Sequence, residues 1–174
     1  MKAMRLLFDM DLRDYDGCTG RFVRDSARSI IIRGNRVAML YNRKYGYYKF
    51  PGGGIEDGES PVEAMMRETK EESGLLVIPN TVKEYGLVHR AQRSVIKTDE
   101  VFIQDNYYYL CDAEGGIAEQ DLDDYEKEEG FTLEFVDPHY AMEKNRKVTN
   151  RPYEMMFERE ARVLECLIEE GLLS

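Results

Sequence analysis

Three carboxylates stand close together at Glu68, Glu71 and Glu72. Residues three and four apart are neighbours on a helix, so this spacing gathers the acids on one side. Like charges so placed repel by about 0.2–0.5 kcal/mol per pair. Arg67 relieves Glu71 one turn on, but one guanidinium does not neutralise three acids, and the cluster calls for a further cation. Oxygen-only ligands favour a hard divalent ion, magnesium before calcium or manganese.

The helix that would carry these acids has both ends written into it. Ser60 is a good N-cap, Glu63 three residues on completes a capping box, and Pro61 suits the first helical position. Gly74 stands where a left-handed cap is wanted. Val62, Met65, Met66, Thr69 and Ser73 share one arc that can pack on a core; Glu68, Glu71 and Glu72 share another, with Ala64 on their side. Before the helix, Gly52-Gly53-Gly54 and Asp57-Gly58 read as a loop. A glycine-rich turn before a Glu-rich helix is ordinarily a loop and a solvated face. The combined spacing argues otherwise.

Its 174 residues, 43% hydrophobic and 33% charged, suit one domain over 1–174 with a core of its own. Cys18, Cys111 and Cys166 are odd in number and widely spaced, which points to a reducing compartment and not to a disulfide framework. The apolar start is broken by Asp9 and Asp11, too short for a signal peptide or a membrane span. The expectation is a cytoplasmic protein with no membrane partner. A net charge of −10 argues against a general nucleic-acid binder. Residues 21–49 nevertheless hold eight Arg/Lys against one acid, whereas 112–129 hold nine acids against one Lys. The basic run leads straight into the glycines; it would serve a polyphosphate, or merely alternate outward along strands.

In chain order, residues 2–10 suggest a first strand. Ile30–Ile32 and Val37–Tyr41 suggest a hairpin about Gly34-Asn35. Tyr47, Tyr48 and Phe50 form an aromatic strand that is core, or in one ring a surface for stacking a base. After the helix, strands are expected at 75–78, at 83–90 with a bulge at Gly86, at 101–111 as a central strand, and at 131–136. Asp137-Pro138 starts a helix. Tyr153 to Glu170 forms the last one, its apolar stripe of Met156, Phe157, Ala161, Leu164, Leu167 and Ile168 ended by Gly171. This gives an α/β chain with a mixed sheet between helices. His89 and His139 have no evident partner, and no nucleophile motif is present.

Gly53, Glu59, Arg67, Glu68, Glu71, Glu72, Gly74 and Leu75 reproduce the spacing of the Nudix hydrolases, the MutT-like pyrophosphohydrolases. The chain resembles that family closely in this stretch and more loosely over 26–137. Thr69 departs from the usual aliphatic residue, at a packing position. The resemblance implies an α/β/α sandwich and magnesium-dependent hydrolysis, with manganese as the alternate, of a nucleoside diphosphate linked to another group. It implies Glu68, Glu71 and Glu72 as metal ligands beside the Gly53 carbonyl. Arg67 would orient a glutamate, Glu59 would complete the loop–helix site, and Glu68, Arg67 and Glu71 would form the catalytic set.

Such a metal neutralises a diphosphate and lowers the pKa of bound water. A carboxylate must then take the proton. In this family the base is a glutamate of the helix or of a later loop; here the later candidates are Glu119, Glu126, Glu128 and Glu129. With no Trp, the downstream pattern of NADH-cleaving relatives is absent, as are the proline and tyrosine markers of the ADP-ribose and dinucleoside-polyphosphate types. Nucleoside triphosphates, nucleotide sugars and dinucleoside polyphosphates stay open as small-molecule substrates, and a homodimer is compatible with the chain. The alternative is a Nudix-fold module that binds a nucleotide without cleaving it.

Overall fold

The computed structural model describes residues 3–115, 127, 130–148 and 154–174. The strand β10 (Glu100–Leu110) is central, as its mixed polar and aromatic faces suggest. It pairs antiparallel with β9 (Lys83–Arg93) and parallel with β2 (Gly20–Val23) and β3 (Ser26–Ile30). With β1 (Leu6–Asp11) beyond β9 and β7 (Gly52–Gly54) beyond β3, the order is β1-β9-β10-β3-β7. A second sheet joins β12 (Phe131–Val136), β5 (Arg36–Asn42) and β4 (Ile32–Arg33), and β6 (Tyr47–Lys49) also pairs with β5. A short ribbon pairs β8 (Leu76–Val77) with β11 (Ala113–Glu114).

The α-helices include α1 (Pro61–Ser73), α2 (Pro138–Lys147) and α3 (Glu154–Glu169). Ala64 and Met65 of α1 pack with Ala27, Ile31, Leu75 and Tyr109 on one face of the main sheet. Val163, Leu164 and Leu167 of α3 pack with Met10, Ile30, Val88 and Tyr108 on the other. Each such aliphatic side chain contributes about 1.5–3 kcal/mol by leaving water. Alternation along β10 divides its residues: Tyr107 and Tyr109 join the α1 cluster, and Tyr108 the α3 cluster. No helix among the described residues is long and apolar enough to cross a membrane.

The mixed α/β architecture agrees with expectation, and several local readings need correction. The apolar run at 30–32 is divided: β3 belongs to the main sheet, and only β4 forms the hairpin with β5. Gly34, at φ +60°, makes that turn. The triple glycine is not purely loop, because β7 pairs with β3. Tyr47, Tyr48 and Phe50 are all buried, so none offers a face to a base. Both histidines have partners: His89 Nδ1 lies 2.7 Å from Asp105 Oδ1, and His139 Nε2 lies 3.2 Å from the Ser174 carbonyl. Gly86 sits beside a bulge at Tyr85, where the β9–β10 register shifts, and a Cβ there would come 2.6 Å from the Leu7 side chain. Tyr153, proposed to open the last helix, lies outside the described residues.

Candidate active site

The α1 caps form as read. Ser60 Oγ accepts the Glu63 amide, the Glu63 carboxylate accepts the Ser60 amide, and Gly74 closes the helix at φ 76°. Ala64, expected beside the glutamates, is fully buried, because the sheet approaches that side of the helix. Thr69 is also buried, and its hydroxyl donates to Ser29 Oγ at 2.8 Å, which gives the polar departure a partner inside the core.

Arg67 gathers one half of the site. Its Nε donates to Glu59 Oε2 at 2.7 Å, and Nη2 donates to Glu59 Oε1 at 2.9 Å and to the Gly54 carbonyl at 3.2 Å. Nη1 donates to Glu68 Oε1 at 2.8 Å and Glu71 Oε2 at 3.2 Å. This fork ties the glycine loop to the helix and fixes one oxygen each of Glu68 and Glu71. The Arg67 hydrogen bond holds the Glu59 carboxyl below its ordinary pKa, and bonding to Glu59 raises that of Arg67. The glutamate repulsion is therefore relieved more fully than the spacing at Glu71 alone suggests.

Glu72 sits apart from that cluster. It is 1% exposed; Oε1 accepts the Gly52 amide at 3.0 Å, and Oε2 lies 2.8 Å from Lys49 Nζ. Lys49 is itself 5% exposed, with its ammonium 4.4 Å from the Phe131 ring centroid. Burial opposes its charge, yet the coulombic pull of Glu72 leaves its pKa raised, so the pair is ionic. Lys49 belongs to no sequence motif and is not among the expected site residues. The available signal was a lysine between Tyr48 and Phe50 in an apolar strand, which requires a carboxylate if buried.

Glu68, Glu71 and Glu72 thus share one helix, but with different cationic neighbours. Among the described residues no three acidic, histidine or cysteine side chains are arranged as a metal-holding group. The donor chemistry nonetheless fits a hard divalent ion, since carboxylates on α1 and a backbone carbonyl of the adjoining glycine loop are all oxygen ligands. A Cβ at Gly53 would lie 2.6 Å from Glu68 Cδ, so the missing side chain makes the cradle in which the Glu68 carboxylate rests. Glu119, Glu126, Glu128 and Glu129 lie outside the described residues.

The basic run ahead of the glycines does not simply alternate outward. Arg28 and Lys49 are buried, and the Arg24 guanidinium occupies the space a Cβ at Gly54 would need.

The fold is similar to solved MutT proteins. One from Bacillus halodurans superposes with a TM-score of 0.54 at 21% identity, over 78% of this chain and 80% of that one. A MutT structure from work on Aliivibrio salmonicida and Vibrio cholerae gives 0.52 at 19% identity, over 86% and 99%. Among curated proteins, the RNA pyrophosphohydrolase of Vibrio cholerae is 48% identical over 48 residues, 26% of this chain and 28% of that protein. That of Tolumonas auensis is 46% identical over the same length, again 26% and 28%. The chain therefore spans little more than a quarter of the length of these relatives. The NUDIX domain family model matches residues 23–157, most of the chain, and with Arg67 binding Glu59, Glu68 and Glu71 against the glycine loop, the chain belongs to the Nudix family.

Proposed function

We propose that this protein is a pyrophosphohydrolase that cleaves the diphosphate linkage of a nucleoside diphosphate joined to another group. The observation that carries this reading is the Arg67 fork, which holds Glu59, Glu68, Glu71 and the Gly54 carbonyl in one constellation. Glu68, Glu71, Glu72 and the Gly53 carbonyl would hold magnesium, or manganese in its place. Bound there, the cation supplies charge neutralisation at the diphosphate and a more acidic water. Arg67 keeps Glu68 and Glu71 oriented, and a carboxylate takes the proton of the attacking water. Glu59, bonded at both oxygens to Arg67, anchors that guanidinium and does not touch substrate.

Nucleoside triphosphates, nucleotide sugars and dinucleoside polyphosphates remain the substrate classes, joined by RNA from the names of the curated relatives. A panel of these compounds incubated with Mg²⁺ and resolved by chromatography tests the reading. Glu71→Gln should lower turnover by orders of magnitude while circular dichroism stays native, and Glu72→Gln should do so when assayed well below its melting midpoint, which falls because Lys49 loses its buried partner. Wild-type rates in both variants would refute it.

One observation favours a binding module instead: the Lys49 ammonium already neutralises Glu72, as a protein without need of a second cation would arrange. Calorimetric binding of a nucleotide, with no product after prolonged incubation with Mg²⁺ or Mn²⁺, would establish that second reading.

A further inference from the structure

Between α3 and the main sheet, three arginines gather near one buried carboxylate among the described residues. Arg28 of β3 and Arg159 of α3, 6% and 1% exposed, flank Glu160 there, close enough to Arg90 of β9 for their charges to act on it. Glu160 is fully buried; its Oε1 lies 2.9 Å from Arg159 Nη2 and 3.9 Å from Arg28 Nε, and its Oε2 accepts the Tyr108 hydroxyl at 2.9 Å. Among the described residues Arg90 has no ion pair. Lys49 and Glu72 nearby cancel, so among the described residues Glu160 is the one carboxylate paired with these guanidinium groups. Buried charge of one sign without a counter-ion is costly.

The hydrogen-bonding character of the lining has the same sign. Arg90 Nε donates to Gln92 Oε1 at 3.1 Å, and Arg159 Nη1 donates to Gln104 Oε1 at 3.5 Å and Asn106 Oδ1 at 2.9 Å. With both glutamine oxygens engaged, their NH2 groups are the donors left. The Nε atoms of Arg28 and Arg159 are buried without a hydrogen-bond partner. With Glu160 engaged by Arg159 and Tyr108 and the amide oxygens already accepting, the groups left over are donors, which suit an acceptor-only ligand, that is, an oxyanion. Arg90 is the half-buried member, with its guanidinium 5.3 Å from the Phe102 ring centroid and exposed Phe22 beyond, and it forms the open side. Burial, then Arg159 and Arg28, press its pKa down to about 10, as crowding among like charges requires.

We propose that this face is an oxyanion subsite in which Arg90, Arg28 and the amides of Gln92 and Gln104 receive a phosphate of the substrate. Arg28 Nη1 also donates to the Phe50 and Gly52 carbonyls at 3.3 and 3.4 Å, so the subsite adjoins the strand that bears Gly53. The assignment rests on the pyrophosphohydrolase reading and narrows it. The preferred substrate carries a phosphate beyond the linkage that is cut, as a nucleoside polyphosphate does and a nucleotide joined to a neutral sugar does not.

The test reads binding without turnover. Thermal unfolding in EDTA is followed for wild type, Arg90→Gln and Gln104→Glu, in inorganic phosphate and in NaCl of equal ionic strength. Phosphate should raise the wild-type midpoint by several degrees over NaCl. Arg90→Gln should begin at or above the wild-type NaCl midpoint, because a crowded charge is gone, and lose the phosphate increment. Gln104→Glu supplies the anion in the protein itself, so its NaCl midpoint should rise and phosphate should add nothing. A phosphate increment kept in both variants, or absent from wild type, overturns the subsite. Hydrolysis is scored separately on the panel. An active enzyme without an Arg90-dependent increment loses the subsite alone, and an Arg90-dependent increment in a protein that cleaves nothing loses the enzymatic reading alone.

Discussion

Lys49→Met isolates the buried ion pair that holds the glycine loop to α1. Lys49 and Glu72 side chains are 7% and 1% exposed, with 2.8 Å between charges. Solvent therefore screens the pair little, and removing one partner of such a pair costs about 3–5 kcal/mol. Methionine keeps most of the apolar stem volume, so a cavity adds little. At roughly 2–4 °C per kcal/mol for a chain of this length, the melting midpoint should fall by about 6–20 °C in EDTA. The hydrogen bond from the Gly52 amide to Glu72 ties that loss to the loop, so amides of β7 should gain hydrogen-exchange rate first. Lys49→Met with Glu72→Gln should recover most of the stability, a coupling that a double-mutant cycle in urea measures directly. Mn²⁺ should stabilise Lys49→Met more than wild type, because a divalent ion can then serve as the counter-charge of Glu72. Lys49→Met within about 0.5 kcal/mol of wild type, or strictly additive single variants, would refute the reasoning.

The adjacent glycines should separate stability from metal binding. At Gly52, φ is +151° and a Cβ would collide with the Ala27 carbonyl oxygen and lie 2.6 Å from Arg28 Cα, so Gly52→Ala must push β7 away from β3. Its cost in urea denaturation should be about 2–5 kcal/mol. At Gly53 the obstruction is the movable end of Glu68. Gly53→Ala should stay within about 1 kcal/mol of wild type, yet bind Mn²⁺ at least about tenfold more weakly by paramagnetic resonance titration. The acid limb of stability should report Glu59, whose folded pKa lies below the ordinary 4.5 because Arg67 bonds the charged form. Between the folded and ordinary values the unfolded chain holds more protons, so stability rises with pH in that window and is lost as pH falls through it. Glu59→Gln should flatten this limb in urea titrations run in EDTA; an unchanged slope would remove Glu59 from the account.

Features decided by neighbouring residues were legible in the sequence. The caps of α1 depend on Ser60, Pro61, Glu63 and Gly74, all within one helix length, and each forms as its local chemistry requires. The Arg67 contact with Glu71 follows from helical spacing, and the start of α2 follows from Asp137-Pro138. Periodicity alone also located β10 and β12 and the apolar stripe of α3. Only the tertiary structure decided which strands share a sheet, because β3 and β4 run on without a break in the apolar pattern and yet pair with different partners. It likewise decided that Lys49 neutralises Glu72, and that Arg28 and Arg159 flank Glu160 beside Arg90. Those pairings join residues from separate strands and helices. Their strength comes from burial, which a residue's own sequence neighbours do not reveal: the same lysine or arginine on an exposed strand would be a solvated charge worth almost nothing.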